Sequence, residues 1–231
     1  VYKRQVYGMH NWPGVELGKF AIRSGPFFAA SDFIEATISG KGGHAAKPQE
    51  TIDPTVIASQ IVVALQTIAS RRADPVKQVV VSITSFETSS NAFNVIPQEV
   101  KIKGTVRTLD PDVRDLAEKE FLRITELTAE ALGGSADAKF TRGYPVMSNT
   151  SEQTEFAAKV ARDVAGECAE APLVMGGEDF AYMLEERPGA YILLGNGDSS
   201  PVHHPEYNFN DDAIPFGCSW LVELVEQKMP V

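Results

Sequence analysis

The sequence predicts an α/β protein in two parts, with a ferredoxin-like β-α-β-β-α-β segment set into a discontinuous α/β layer. Residues 31–147 show strand and helix patterns in the ferredoxin-like order, and residues 148–231 follow the order α-β-α-β-α. The apolar stretch Val6–Met9 predicts one more buried strand of the second pattern. We therefore predict one domain made of residues 1–27 and 148–231 and an inserted domain made of residues 28–147.

The predicted insert begins with a half-buried strand over residues 31–39, in which Ile34, Ala36 and Ile38 alternate with polar residues. Asp53-Pro54 then predicts a helix start, because an N-cap aspartate is followed by proline at the first helical position. The apolar face predicted for this helix contains Val56, Ile57, Ile61, Ala64, Leu65 and Ile68.

Two strands, a second helix and a last strand complete this segment. Residues 78–86 are rich in β-favouring side chains, and residues 100–107 alternate between apolar and polar. Asp110-Pro111 repeats the helix-start signal, Gly133-Gly134 ends that helix, and residues 136–144 predict the last strand. The side chains expected to line the second helix are Val113, Leu116, Ile124, Leu127 and Ala131.

The remaining residues predict an α/β layer with too few strands for a complete doubly wound domain. Thr150 with Gln153 fits a capping box, which predicts a helix that begins there. The other elements expected are strands at 172–175 and 190–194, a short helix at 178–185, and a final helix capped by Asp211 or Asp212.

Composition narrows the classes of partner. The formal net charge is −10, and an acidic surface argues against nucleic acid and anionic membranes as partners. No apolar run approaches the ~20 residues that a transmembrane helix needs, and no secretory signal is visible. Cys168 and Cys218 have no metal or redox spacing and favour two buried thiols in a reducing compartment over a disulfide. We expect a cytoplasmic protein, and the start at Val1 suggests a piece of a longer one.

The four histidines all lie in loop-like segments next to glycine or proline. Histidine is the commonest metal ligand, and a zinc site takes three or four nitrogen, sulfur or oxygen ligands. His10 and His203 are therefore candidate ligands, with His204 as a polar neighbour. Taken alone, a loop histidine is more often a surface or hydrogen-bonded residue, so both interpretations stay open at this point.

Three other positions are candidates for substrate contacts. His44 lies among small residues in GKGGHAA, where its ring could donate to a developing oxyanion. Arg107 could bind a carboxylate with two hydrogen bonds, and Asn94 offers one donor group and one acceptor. The alternatives are a solvated loop histidine, a surface salt bridge and a turn asparagine.

Together the motifs resemble the aminoacylase and carboxypeptidase-like metallohydrolases. The branch they resemble most contains the hippurate hydrolases and the plant auxin-conjugate amidohydrolases. The matching motifs run in order through the chain: YGMHNWP at 7–13, IRSGP at 22–26, GKGGHAAKP at 40–48, DP at 53–54, ALQTI at 64–68, NVIP at 94–97, GTVRT at 104–108, MGGEDF at 175–180 and HHP at 203–205.

This resemblance implies a cytoplasmic enzyme with two divalent metal ions, zinc or manganese, that cleaves N-acyl amino acids. By position, His10 corresponds to a ligand of one metal and His203 to a ligand of the other. The partial α/β part would then be a metallohydrolase catalytic domain. The ferredoxin-like segment would be the family's lid and dimerisation domain, which implies a homodimer.

The resemblance also implies roles around the substrate. His44 corresponds to the lid histidine that polarises the scissile carbonyl, and Asn94 and Arg107 to lid residues that bind the substrate carboxylate or carbonyl. The backbone of Gly177 corresponds to part of the pocket floor.

One departure from the family pattern is large. In relatives, a metal motif with cysteine or aspartate, a histidine and a Glu-Glu pair precede the segment that begins at Tyr7, whereas none of them lies before Tyr7 in this sequence. It resembles roughly the C-terminal three-fifths of such an enzyme, so we expect the isolated chain to be inactive. The alternatives are a non-catalytic dimerising module or truncated gene product, and an enzyme for succinylated diamino acids or dipeptides.

Overall fold

The structure is a computed structural model that describes residues 4–229, so the ends of the predicted domain at 1–3 and 230–231 lie outside the described residues. The strands are β1 Val6–Trp12, β2 Phe20–Ile22, β3 Gly25–Phe28, β4 Ala30–Ser39, β5 Gly43–His44, β6 Val79–Thr88, β7 Val95–Ile96, β8 Glu99–Thr108, β9 Ser135–Thr141, β10 Met147–Asn149, β11 Cys168–Glu170 and β12 Gly189–Gly195. The α-helices are α1 Pro54–Leu65, α2 Pro111–Ala131, α3 Ser151–Ala165, α4 Ala181–Glu186 and α5 Ile214–Lys228.

The described residues pack into two compact units of mixed α/β structure. The first unit contains residues 4–28, 147–174 and 178–229, and the second contains residues 29–146 and 175–177. No helix within residues 4–229 combines the length and the apolar composition that crossing a membrane requires.

The first unit is built on a four-stranded sheet in the order β1-β12-β2-β11. Strands β1 and β12 are parallel, with His10 beside Leu193, whereas β12 and β2 are antiparallel. Parallel neighbours end at the same edge of a sheet, so the loops that follow β1 and β12 begin side by side.

Both faces of this sheet are covered, which explains why β12 is buried along its whole length. On one face, Ile192 and Leu194 pack with the fully buried Trp220, whose indole Nε1 donates to the Ala157 carbonyl at 3.1 Å. On the other face, Tyr191 and Leu193 pack with an aromatic cluster. The face with Tyr191 is also the face of His10.

The second unit contains a four-stranded antiparallel sheet in the order β6-β8-β4-β9. With α1 after β4 and α2 after β8, this is the ferredoxin-like arrangement. Its core contains Ile34 and Ile38 of the sheet, Ile57 and Ile61 of α1, and Phe121 of α2.

Both predicted aspartate caps of the second unit are present. Asp53 accepts from the Thr55 amide at the start of α1, and Asp110 accepts from the Asp112 and Val113 amides at the start of α2. The predicted apolar faces were wrong at Val56, Leu127 and Ala131. Val56 and Leu127 are 54% and 50% exposed, and Ala131 is exposed as well. The side chains that α1 buries are Pro54, Ile57, Ala58, Ile61 and Leu65. Val56 is not spaced three or four residues from Ile57, Ala58 or Ile61, so its side chain lies off this buried stripe.

Two strand and helix predictions in the first unit were wrong. Residues 172–175 form no strand, since Val174 makes only an isolated bridge to Phe28, and the strand is Cys168–Glu170 instead. Pro172 has no amide hydrogen to donate to a ladder, which explains the shift. The helix predicted from 178 begins only at Ala181.

Two predicted helix caps in the first unit were also wrong. Thr150 occupies the N-cap position of α3, but its hydroxyl accepts from the Gly189 amide at 3.2 Å instead of the first turn. Before α5, Asn210 provides the cap by accepting from the Asp212 amide at 3.0 Å, so neither aspartate does so.

Candidate metal and substrate-binding residues

The imidazole of His10 is held in one tautomer by its own strand. Its Nδ1 lies 2.6 Å from the carbonyl oxygen of Asn11, and a carbonyl only accepts, so Nδ1 carries the hydrogen. In the neutral ring, Nε2 then presents its lone pair. A backbone carbonyl that binds one ring nitrogen in this way is typical of histidines that ligate a metal with the other.

Aromatic contacts fix the orientation of the His10 ring. The ring meets Trp12 and Tyr191 edge to face, at centroid distances of 5.5 Å and 6.4 Å. The Tyr191 hydroxyl donates to Glu178 Oε2 at 3.0 Å. Burial, and next the charge of Glu178, raise the pKa of Tyr191, so this donor stays protonated. A Cβ on Gly8 would lie 2.7 Å from the Tyr191 ring, so only glycine leaves room for it.

His203 lies in the loop that follows β12, and its side chain is exposed. With φ of 66°, it is the single non-glycine residue among residues 4–229 that has a positive φ. Such a conformation costs free energy and persists only where neighbouring structure holds it. The neighbouring His204 accepts the Glu206 amide on Nδ1 at 3.1 Å, which uses one of its ring nitrogens within the loop.

Hydrogen bonds hold this loop against the end of β1. The Tyr207 hydroxyl donates to Asn11 Oδ1 at 2.7 Å, and the Asn196 amide donates to the Trp12 carbonyl at 3.1 Å. The Asn196 side chain also accepts from the Asn210 amide at 2.8 Å, which closes the loop at its far end. The structure therefore brings His10 and the His203 loop to the same edge of one sheet.

The two imidazoles match the nitrogen donors that zinc prefers, but they do not complete a site. No group of three or more histidine, cysteine, aspartate or glutamate side chains able to hold a metal occurs within the described part of the chain. Zinc takes three or four protein ligands. The residues of this unit therefore fit part of a metal site.

In the second unit, His44 and Asn94 share a small two-stranded ladder. His44 of β5 pairs with Val95 of β7, and the Ala45 amide donates to the Asn94 carbonyl at 3.0 Å. His44 Nδ1 accepts from the Ala46 amide at 3.1 Å, so the hydrogen of the neutral ring lies on Nε2. Because His44 is exposed, this N–H is free to donate to a ligand.

Arg107 and Gly177 meet at Ser31. Arg107 of β8 lies opposite Ser31 of β4, and its guanidinium donates to the Ser31 hydroxyl. Burial lowers the pKa of Arg107, and the nearby charge of Asp32 opposes that shift. A Cβ on Gly177 would lie 2.7 Å from Ser31 Cβ and 3.1 Å from the Tyr144 ring. Glycine is therefore the residue that leaves Ser31 and Arg107 in place.

Sequence reasoning did not single out Asn11, Tyr207 or Ser31. Asn11 and Tyr207 lie within the motifs quoted for His10 and His203, and a polar residue beside a candidate ligand was the available signal. Ser31 carries no such signal, because its contacts with Arg107 and Gly177 exist only after the sheet has formed.

Residues 2–227 match the family described as peptidase family M20/M25/M40. The chain belongs to this family. The match covers nearly the whole sequence and confirms the resemblance drawn from the motifs. It also agrees with the mixed α/β architecture of both units.

Relatives of this peptidase family include several amidohydrolases. An N-acetyl-L-cysteine deacetylase of Bacillus subtilis is 36% identical over 224 residues, which are 97% of this chain and 54% of that protein. A hippurate hydrolase of Campylobacter jejuni is 36% identical over 225 residues, 95% of this chain and 58% of that protein. An IAA-amino acid hydrolase of Arabidopsis thaliana is 39% identical over 237 residues, which cover 96% of this chain and 53% of that protein.

Solved structures show the same fold. A protein from methicillin resistant Staphylococcus aureus superposes with a TM-score of 0.87 at 31% identity, over 97% of this chain and 59% of that one. A Bacillus subtilis protein described as a dinuclear metal binding peptidase of the M20 family gives a TM-score of 0.80 at 29% identity. The superposition covers 96% of this chain and 56% of that one. The chain thus spans between half and two thirds of the length of the relatives it matches.

Proposed function

We propose that this chain forms part of a metal-dependent amidohydrolase that cleaves the amide bond of N-acyl amino acids such as hippurate. The observation that carries the proposal is the link between His10 and the His203 loop through Asn11, at the edge where two parallel strands end. The relatives named as a hippurate hydrolase and an N-acetyl-L-cysteine deacetylase support this class of substrate.

Two divalent ions, zinc or manganese, would supply Lewis acidity and lower the pKa of water. His10 would hold one ion through Nε2, because its Nδ1 is engaged by the Asn11 carbonyl. His203 would hold the other from its exposed position in the loop after β12. The Tyr191–Glu178 hydrogen bond would keep the His10 ring in the orientation that binding requires.

We assign substrate binding to residues of the second unit. The Nε2 hydrogen of His44 would donate to the scissile carbonyl oxygen and stabilise the charge that develops on it. Arg107 would bind the carboxylate of the amino-acid part, and Asn94 would offer its amide beside His44. The backbone of Gly177 would form part of the pocket floor, because a side chain there would press on Ser31 and Tyr144.

Variants of the protein as its gene encodes it test this function. Hippurate hydrolysis should require zinc or manganese and should fall about 10²-fold or more in His44→Ala, as for loss of an oxyanion donor. His10→Ala and His203→Ala should abolish it, whereas His204→Ala is the matched control and should retain it. Activity that survives complete metal removal, or equal losses in His204→Ala and His203→Ala, would contradict the proposal.

We further propose that the 231-residue chain alone is inactive, because residues 4–229 gather no group of three metal-binding side chains. Purified chain with added zinc or manganese should release no benzoate from hippurate above the rate of the His10→Ala variant. Benzoate release that depends on His10 would show that the chain completes a site by itself.

We also propose a homodimer formed through the second unit. A groove between α1 and α2 is lined by Val56, Leu127 and Leu132, whose side chains are 54%, 50% and 45% exposed. A second copy would cover this apolar surface. Light scattering should give twice the mass of one chain, and Leu127→Asp should give the mass of a monomer; a monomeric unaltered chain would contradict the proposal.

A further inference from the structure

We propose that Asn11 and Tyr207 are positioning residues that hold His10 and the His203 loop in a fixed relation. This inference rests on the proposed metal-binding role of the two histidines. In that proposal Asn11 binds neither ion. Here its side chain is given the role of holding the His203 loop, in addition to the contact of its backbone carbonyl with His10.

Asn11 makes two different contacts from one position. Its backbone carbonyl accepts the hydrogen of His10 Nδ1 at 2.6 Å, which fixes the tautomer of the first imidazole. Its side-chain Oδ1 accepts from the Tyr207 hydroxyl at 2.7 Å, across a separation of 196 residues. One residue therefore connects the strand that carries His10 with the loop that carries His203.

The hydrogen bond between Tyr207 and Asn11 lies close in sequence to His203, the loop residue with a positive φ. The Tyr207 amide donates to the His204 carbonyl at 2.9 Å, so a tight turn joins His204 to Tyr207. The start of the loop is held separately, where the Gly14 amide donates to the Gly197 carbonyl at 2.9 Å. The Tyr207–Asn11 bond thus restrains the half of the loop in which His203 adopts its positive φ.

The second polar atom of the Asn11 side chain supports a specific role for the amide. Asn11 Nδ2 is buried and has no hydrogen-bond partner among the described residues. Leaving a buried donor unpaired lowers stability, and an apolar side chain at this position would avoid that cost. The favourable contact of this side chain is the one with Tyr207.

Zinc titration of the protein as its gene encodes it, followed by the ¹⁵N signals of its histidine rings, tests the inference. Tyr207→Phe keeps the ring and removes the hydroxyl, and Asn11→Ala removes the acceptor. Each should weaken zinc binding at His203 about 10-fold, the lower end of the range for partners that orient metal ligands. The double variant should be no weaker than either single one, because both changes remove the same bond.

Tyr7→Phe is the matched control. Tyr7 lies in the same strand as His10, and its hydroxyl donates to Gln5 at 3.0 Å, away from the loop. It should leave zinc affinity unchanged. Without zinc, amide hydrogen exchange in residues 198–209 should speed up in Tyr207→Phe and not in Tyr7→Phe, which detects the loss of the tether independently of metal.

The outcomes separate the two proposals. Zinc-dependent shifts in the unaltered protein that persist with the same affinity in Tyr207→Phe would overturn the positioning role alone. Additive losses in the double variant would also overturn it, since the residues would then act through different contacts. No zinc-dependent shift of His10 or His203 in the unaltered protein as its gene encodes it would instead overturn the proposed metal function.

Discussion

Arg114 and Asp32 form a two-point ion pair inside the second unit. Arg114 Nε lies 2.9 Å from Asp32 Oδ2, and Arg114 Nη2 lies 2.6 Å from Asp32 Oδ1. The Asp32 side chain is fully buried. The same two side chains bind the backbone of Gly143, which follows β9. Arg114 Nη2 donates to the Gly143 carbonyl at 3.1 Å, and Asp32 Oδ1 accepts from the Gly143 amide at 3.1 Å.

Removal of one partner should leave a buried charge without compensation. We expect Arg114→Ala to lower the free energy of unfolding of the second unit by about 3–5 kcal/mol. Amide hydrogen exchange of residues 29–146 in increasing urea measures this directly. Both tryptophans, Trp12 and Trp220, belong to the first unit, so their fluorescence reports that unit separately.

Arg142→Ala is the control for this prediction. Arg142 binds Glu118 and Asp115, each at 2.7 Å, but these side chains are 30–67% exposed, whereas Asp32 is fully buried. Exposed pairs contribute about 0–1 kcal/mol, so this variant should stay close to the unaltered chain. Equal losses in Arg114→Ala and Arg142→Ala would show that burial does not set the strength of the Arg114 pair.

Local rules predicted the elements whose signals are complete within a few residues. The helix starts at Asp53 and Asp110 were correct, because an aspartate and a proline in adjacent positions define the first turn without help from elsewhere. The cap at Thr150 was wrong, because its hydroxyl binds the amide of Gly189, which is distant in sequence. A capping pattern cannot reveal such a competing partner.

The candidate site follows the same distinction. Motifs identified His10, His44 and His203 as residues of interest, and their loop settings were visible in the sequence. The partners that orient them were not, because Tyr207 reaches Asn11 across 196 residues and Arg107 reaches Ser31 across 76. These contacts depend on the register of the finished sheets.

Gly177→Ala should destabilise the second unit by forcing a methyl group against Ser31. The added Cβ would lie 2.7 Å from Ser31 Cβ, and an overpacked contact of this kind costs about 1–3 kcal/mol. Ser31→Gly removes the atoms that the new methyl group would meet. In the Ser31→Gly background, adding Gly177→Ala should therefore cost much less stability than it does in the unaltered chain. Hydrogen exchange of the four forms measures the coupling, and additive losses would contradict a direct clash.

Asp110 combines a helix cap with an ion pair, and pH separates the two contributions. Its Oδ2 lies 2.7 Å from Lys77 Nζ, and its Oδ1 accepts from the Asp112 and Val113 amides. The hydrogen bond from Lys77 lowers the pKa of Asp110 below 3.8, and the same bond raises the pKa of Lys77 above 10.5. The pair therefore contributes stability between about pH 4 and pH 10.

Two substitutions at this position should behave differently as the pH changes. Asp110→Asn keeps a capping oxygen and loses the charge, whereas Asp110→Ala loses both, at a cost of about 1 kcal/mol for the cap. A carboxylate with a lowered pKa contributes above its unfolded pKa and loses that contribution as the pH falls through its folded value. The stability difference between the unaltered chain and Asp110→Asn should thus be present at pH 7 and disappear well below pH 4. The stability difference between Asp110→Asn and Asp110→Ala should persist at both pH values, since a neutral amide caps the helix at either.

Urea unfolding at the two pH values, followed by hydrogen exchange in residues 111–131, measures both differences. A difference from Asp110→Asn that is the same at both pH values would show that the bond to Lys77 adds no charge-dependent stability.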